Sequence, residues 1–185
     1  MPTARSVASL LLSLLLSPLL LADVNGIQIQ KAQLERRADQ GLISADIDYH
    51  LPDVALKALD EGIPLSFRFV FTIARLLPLG LRWTLHEEER NIQIRHLPLA
   101  QSYQVKDLGS GAVQSFTSLS QVMETLAHIR NWVIDLSTIP SDQPAEASLA
   151  FRFDIEALPL PLRIQAYVAP EWHMQNRPYR WQIPP

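Results

Sequence analysis

No cysteine occurs anywhere in the 185 residues. That absence excludes disulfide bonds and a catalytic thiolate, so stability must come from the core alone. No serine stands in a Gly-x-Ser-x-Gly elbow, the arrangement that exposes a nucleophile on a strained strand-to-helix turn. Ser110, between Gly109 and Gly111, reads as a turn residue. The run His86-Glu87-Glu88-Glu89-Arg90 lacks the second histidine of a zinc-protease helix, because Arg90 occupies its place. A basic stripe able to neutralise a phosphate backbone is also missing, which argues against nucleic-acid binding.

What is present begins with an uneven distribution of apolar residues. Residues 7–21 form a hydrophobic run interrupted only by Ser9, Ser13, Ser17 and Pro18, preceded by Arg5 and followed by Ala22 and Asp23. A positive flank, a largely apolar run of about 15 residues and a small residue at the cleavage position describe an export signal. Residues 1–22 are therefore expected to be removed after Ala22, with residues 23–185 forming one domain. An uncleaved membrane anchor is the alternative, although the run is shorter than the ~20 residues a spanning helix needs. No cysteine follows the leader, so a thiol-linked lipid anchor is excluded. Removal of Arg5 lowers Lys+Arg from 16 to 15 against 19 Asp+Glu, leaving a mildly acidic chain of net charge near −4. A chain of ~150 residues buries about 68–70% of its unfolded surface, enough for a core without staples.

The rest reads mainly as β-structure. Residues 27–49 alternate apolar and polar around a turn at Asp39-Gln40-Gly41, predicting a hairpin. Residues 52–61 carry Val54, Ala55, Ala58 and Leu59 at helical spacing, with Asp53 as a candidate cap and Gly62 as a left-handed stop. Leu65, Phe67, Phe69, Phe71 and Ile73 then point one way, toward a core. The stretch 76–81 predicts a hairpin tip, followed by strands at 82–88, 91–97, 102–108 and 112–116, the last two joined by Gly109-Ser110-Gly111. Ser118 and Gln121 have capping-box spacing and open a helix expected over 118–130. Strands are expected at 132–139, 147–155 and 163–168, with Pro159 and Pro161 as breaks before the last. Trp172 and Trp181 are expected to seal one end of the fold. The fold class is thus mainly β with two short helices (α+β), an antiparallel twisted sheet or sandwich in a single domain. The succession hairpin, helix, long strand occurs at 27–73 and again at 102–139, which predicts an internal pseudo-repeat.

Candidate sites are few. Leu76, Leu77, Leu79, Leu81 and Trp83 cluster at a hairpin tip, where polar residues are usual, and mark a candidate contact surface for a protein partner or lipid. The alternative is a tip folded back onto the core. His86 and Glu88 share one strand face, and His96 could approach from a neighbouring strand as a loose metal site; a solvated charged hairpin is the better reading. Asp46 with Asp48, and Asp135 with Asp154, become catalytic carboxylates only if the fold joins them. Arg36 and Arg37 read as a solvated pair on a strand. No catalytic residue, cofactor or metal is assigned.

Ala58-Leu59-x-x-Gly62-Ile63-Pro64-Leu65 running into the Phe-rich strand, His96-x-x-Leu99-x-x-x-Tyr103-x-Val105, Phe116-x-x-Leu119, Trp132, Leu158-Pro159-x-Pro161-Leu162 and the closing Trp172 and Trp181 together resemble an exported proteobacterial family. It is catalogued as domain of unknown function 4390. The family commonly carries aromatic and acidic residues around the 75–83 hairpin, where leucines dominate here. The resemblance implies a periplasmic protein of uncharacterised role and supplies no catalytic residues. Genes of similar proteins lie beside a membrane sensor kinase, which implies a partner in envelope signalling. The expectation is therefore a noncatalytic periplasmic interaction module, with a carrier of an apolar ligand or lipid as the alternative. Membrane contact is expected through an uncleaved leader or the apolar tip.

Overall fold

The structure, a computed structural model, describes residues 26–140 and 143–184, and the expected leader lies outside them. Nine strands and three helices follow in order: β1 (Ile27–Arg37), β2 (Gln40–Tyr49), α1 (Asp53–Asp60), β3 (Leu65–Leu76), β4 (Arg82–Leu97), β5 (Ser102–Asp107), β6 (Val113–Phe116), α2 (Leu119–Ala127), β7 (His128–Asp135), β8 (Ala145–Phe153), α3 (Leu160–Val168) and β9 (Tyr179–Ile183). The described strands form a three-stranded sheet, β1-β2-β7, and a six-stranded sheet, β6-β5-β4-β3-β8-β9. Every pairing is antiparallel. The two sheets share one core, and the fold is mainly β, antiparallel and a single domain.

Period-two patterning explains the centre of the molecule. Leu65, Phe67, Phe69, Phe71 and Ile73 of β3 are all buried, as are Leu149, Phe151 and Phe153 of β8 beside them. Phe69 meets Phe151 edge-on with ring centroids 5.1 Å apart, while Phe71 contacts Trp132 of the other sheet at 6.3 Å. Burying each such ring contributes about 1.5–3 kcal/mol. The aromatic tail seals this core as expected: Trp172 packs on Phe153 at 5.6 Å, and Trp181 packs on Phe71 at 6.0 Å.

The helices differ in how they stop. α1 buries Ala55, Ala58 and Leu59 and ends where Gly62 adopts φ +81°. Gly62 N–H donates to Leu59 O (2.9 Å) and Ile63 N–H to Ala58 O (2.9 Å), closing the carbonyls that a helix end leaves free. Pro52 takes the N-cap position and Asp53 stands in the first turn, so Asp53 is not the cap. In α2, Ser118 caps as expected by accepting from Gln121 N–H (3.3 Å). That helix ends at Ala127 and not at residue 130, because β2 offers a pairing edge: Ala45 faces Ile129 and Asp46 faces His128. Ile129 fits the helical face by spacing and is buried from a strand instead.

Five further expectations change. The strands expected at 82–88 and 91–97 are one 16-residue strand, β4, since β3 continues to pair through Glu89 and Arg90. The strand expected at 163–168 is α3, a third helix: Pro161 sits in its first turn, where a missing N–H costs nothing, and Arg163 N–H donates to Pro159 O (2.9 Å). β7 and β8 begin and end earlier than expected; Asp154 instead caps a short turn at Ile155–Ala157 through Glu156 N–H (3.1 Å). The first hairpin turns at Ala38 and Asp39, before Gly41, with Ala38 at φ 52°. Arg36 is not merely solvated, because its guanidinium donates to Ile139 O (2.8 Å) and ties β1 to the turn after β7.

Candidate functional site

β3 and β4 outrun their neighbours. β8 pairs with β3 from Phe67 to Ala74, whereas β4 continues to Leu76, opposite Arg82. The hairpin end therefore projects beyond the sheet. It turns through Pro78–Gly80, with Leu79 at φ 67° and Gly80 at φ 74°, and Leu77 N–H donates to Leu81 O (2.8 Å). Its base is fastened by Arg82, whose Nε donates to Glu146 Oε1 of β8 (2.9 Å).

The structure brings the five predicted tip residues together and leaves them in solvent. Leu76 is 46% exposed, Leu77 38%, Leu79 98%, Leu81 60% and Trp83 64%. The tip does not fold back onto the core. A monomeric surface seldom gathers large apolar side chains at one projecting end without a contact to make there.

The other sequence candidates separate. His86 Nε2 stands 3.5 Å from Glu88 Oε2, but that nitrogen has no hydrogen-bond partner among the described residues. His96 lies ten residues further along the same strand, roughly 33 Å away at strand rise. There its ring stacks on Tyr103 with centroids 4.5 Å apart. Among the described residues no group of three or more His, Asp or Glu is placed to hold a metal ion. Asp46 is bound by Arg130 and lies 2.9 Å from His128 Nδ1, while Asp48 faces His50 at 3.6 Å. Hydrogen bonds from Arg130 and His128 hold the Asp46 carboxyl below its ordinary value. Asp135 accepts from Ser137 N–H (2.8 Å) and Asp154 from Arg68 (3.3 Å), so these two serve different turns and do not form an acid–base pair.

Several features escape the sequence reading. α3 turns Leu160, Ile164, Tyr167 and Val168 outward, a stripe whose helical spacing was visible once residues 160–168 were read as helix. Between the sheets lies a cavity of about 220 Å³ with apolar walls from Phe69, Ile92, Val105, Leu126 and Ile129. Arg90 and Asp107 close its side through a 2.7 Å contact. Burial pushes the Asp107 carboxyl up, and the N–H groups of Ser110 and Gly109 with the Arg90 guanidinium outweigh it, so the net shift is downward. A groove of about 370 Å³ at the end of β8 contains Arg68 and Arg152 in direct cross-strand register. Asp154 neutralises Arg68 within it, so the groove carries both signs. No described helix is long and apolar enough to cross a membrane.

Neither a curated protein nor a solved structure gives a significant match to this chain. A family model described as Domain of unknown function (DUF4390) matches residues 24–182, nearly the whole described fold including both sheets, the tip and the aromatic tail. The chain belongs to that family of domains of unknown function.

Proposed function

We propose that this chain is an exported, periplasmic protein of proteobacterial origin that works as a noncatalytic interaction module, with the β3–β4 tip as its contact surface. An envelope or membrane sensor protein is the partner. One observation carries the reading: five large apolar side chains, Leu76 to Trp83, stand exposed on a projecting and well-anchored hairpin end. The scattered carboxylates and histidines support a role without covalent chemistry. The apolar leader supports export, and sequencing the N-terminus of the protein recovered from the envelope is expected to begin at Asp23.

The test is co-purification from crosslinked envelopes with Leu77, Leu79 and Leu81 changed to Ser. These exposed substitutions are expected to leave stability within about 0.5 kcal/mol and to abolish capture of the partner. Recovery of the wild-type set of partners would count against the tip. A second reading, carriage of an apolar ligand, draws on the cavity between the sheets. At about 220 Å³ it falls below the usual ~300–1,000 Å³ of ligand pockets, which favours the tip as the functional surface.

A further inference from the structure

The long strand β4 is paired on both sides over only part of its length. Ile92, Gln93 and Ile94 lie between β3 and β5 and Arg95–Leu97 pair with β5 alone, whereas Arg82–Arg90 have β3 on one side and no described strand on the other. Leu108 N–H donates to Asn91 O (2.8 Å), so the Asn91 backbone faces the β5 side. In an antiparallel strand the N–H and C=O of one residue point the same way and alternate along the chain. The backbone groups of Glu89 and Glu87 therefore face the open edge, and both residues are exposed. The opposite strand face turns His86, Glu88 and Arg90 toward the other sheet, where Trp132 Nε1 donates to Glu88 Oε1 (3.2 Å).

We infer that this open edge of β4 accepts an extended segment of another polypeptide as an added strand, basic where it passes Glu87 and Glu89 and apolar where it reaches Trp83. Its apolar end rests on the reading of the tip given above. The backbone groups of Glu87 and Glu89 supply directional hydrogen bonds, and alternating side chains set the register. Charge selects the occupant. A second copy of this chain is disfavoured, because two-fold pairing centred on Glu88 sets Glu87 against Glu89, and pairing centred on His86 sets Arg82 against Arg90. Inward-pointing charges and an acidic rim guard an edge against self-association. Glu89 Oε2 lies 3.7 Å from Arg68 Nη1, so the rim attracts a basic strand chiefly through Glu87.

The test uses the full chain as recovered from the cell and a nine-residue peptide of alternating lysine and valine ending in leucine. Binding is followed by fluorescence anisotropy and by amide hydrogen exchange. Saturating peptide is expected to slow exchange at Glu87 and Glu89 at least tenfold. N-methylation of alternate peptide amides, or the double change Glu87→Lys with Glu89→Lys, is expected to weaken binding at least tenfold. Equal binding of the N-methylated peptide, protection confined to β7, or no binding at millimolar peptide overturns the inference. Slowed exchange at Glu87 and Glu89 supports the edge in the wild type and in the Leu-to-Ser tip variant alike. Unchanged partner capture by the tip variant counts against the tip alone, so the two failures are told apart.

Discussion

Two stretches of chain pass through the same succession of elements and finish with different structural weight. β1-β2-α1-β3 and β5-β6-α2-β7 are each a hairpin, a helix and a strand, and each sends its third strand into the sheet that its hairpin does not occupy. The expected pseudo-repeat is thus present in the order of elements. Yet β3 lies between β4 and β8, while β7 is the edge of a three-stranded sheet. The first hairpin has strands of 11 and 10 residues; the second ends in a strand of 4 with three exposed positions. Number of neighbours, more than order along the chain, decides which copy carries the core.

The comparison is tested most strongly by removing a side chain from each third strand. Phe71→Ala empties a fully buried site between Trp132 and Trp181 and is expected to cost ~3–5 kcal/mol in urea unfolding. Val133→Ala on β7, half exposed, is expected to stay within about 0.5 kcal/mol. Equal losses would mean that burial does not set the cost of a deletion in these strands. A smaller effect separates the helix ends. Gly62→Ala has room for its methyl, the nearest atom being His96 O at 3.8 Å, so its cost of about 1–2 kcal/mol is that of a left-handed backbone. Ser118→Ala removes the α2 cap at about 1 kcal/mol. Thermal unfolding of both variants measures the difference.

The weakest expected effect lies where the two units meet, at Asp46 of β2 with Arg130 and His128 of β7. The carboxyl is lowered in the fold, so its contribution is complete above its unfolded value near ~4 and is withdrawn as pH falls through the folded value. With the Asp46 side chain 39% exposed, solvent screening holds this to no more than ~1 kcal/mol. The gap in urea midpoint between wild type and Asp46→Asn is expected at pH 7 and should close as the pH is lowered through the folded carboxyl's titration. A gap that persists in acid would assign the loss to packing.

Much of this fold could be read from residue spacing, because its strongest signals are local. The β3 alternation, the Gly62 stop and the Ser118 cap each act within a few residues of themselves. α3 was hidden by two local signals pointing the wrong way: Pro159 and Pro161 read as breaks, and Ile164, Ala166 and Val168 alternate like a strand. A proline at a helix start and a proline in a strand are the same letters. The end of α2 was hidden for another reason, since Ile129 satisfies both a helical face and a strand paired with Ala45 some 80 positions away. The tip leucines were legible as a cluster, but their exposure depends on where β8 stops pairing. The open edge of β4 was not legible, because a missing neighbour leaves no mark on the strand that lacks it.

The pairings of β3 with β8 and of β2 with β7 have a consequence for how the molecule is made. Phe71 meets Leu149, and Leu42 meets Val133, so the centre of each sheet joins residues far apart in the chain. The β1–β2 and β3–β4 hairpins can pair locally, but neither sheet is complete before the later strands arrive. Such long-range topologies assemble slowly, over milliseconds to seconds. The unfinished chain keeps its phenylalanines available to any holding factor until the last third is present, and quality control during synthesis therefore has a long window in which to act.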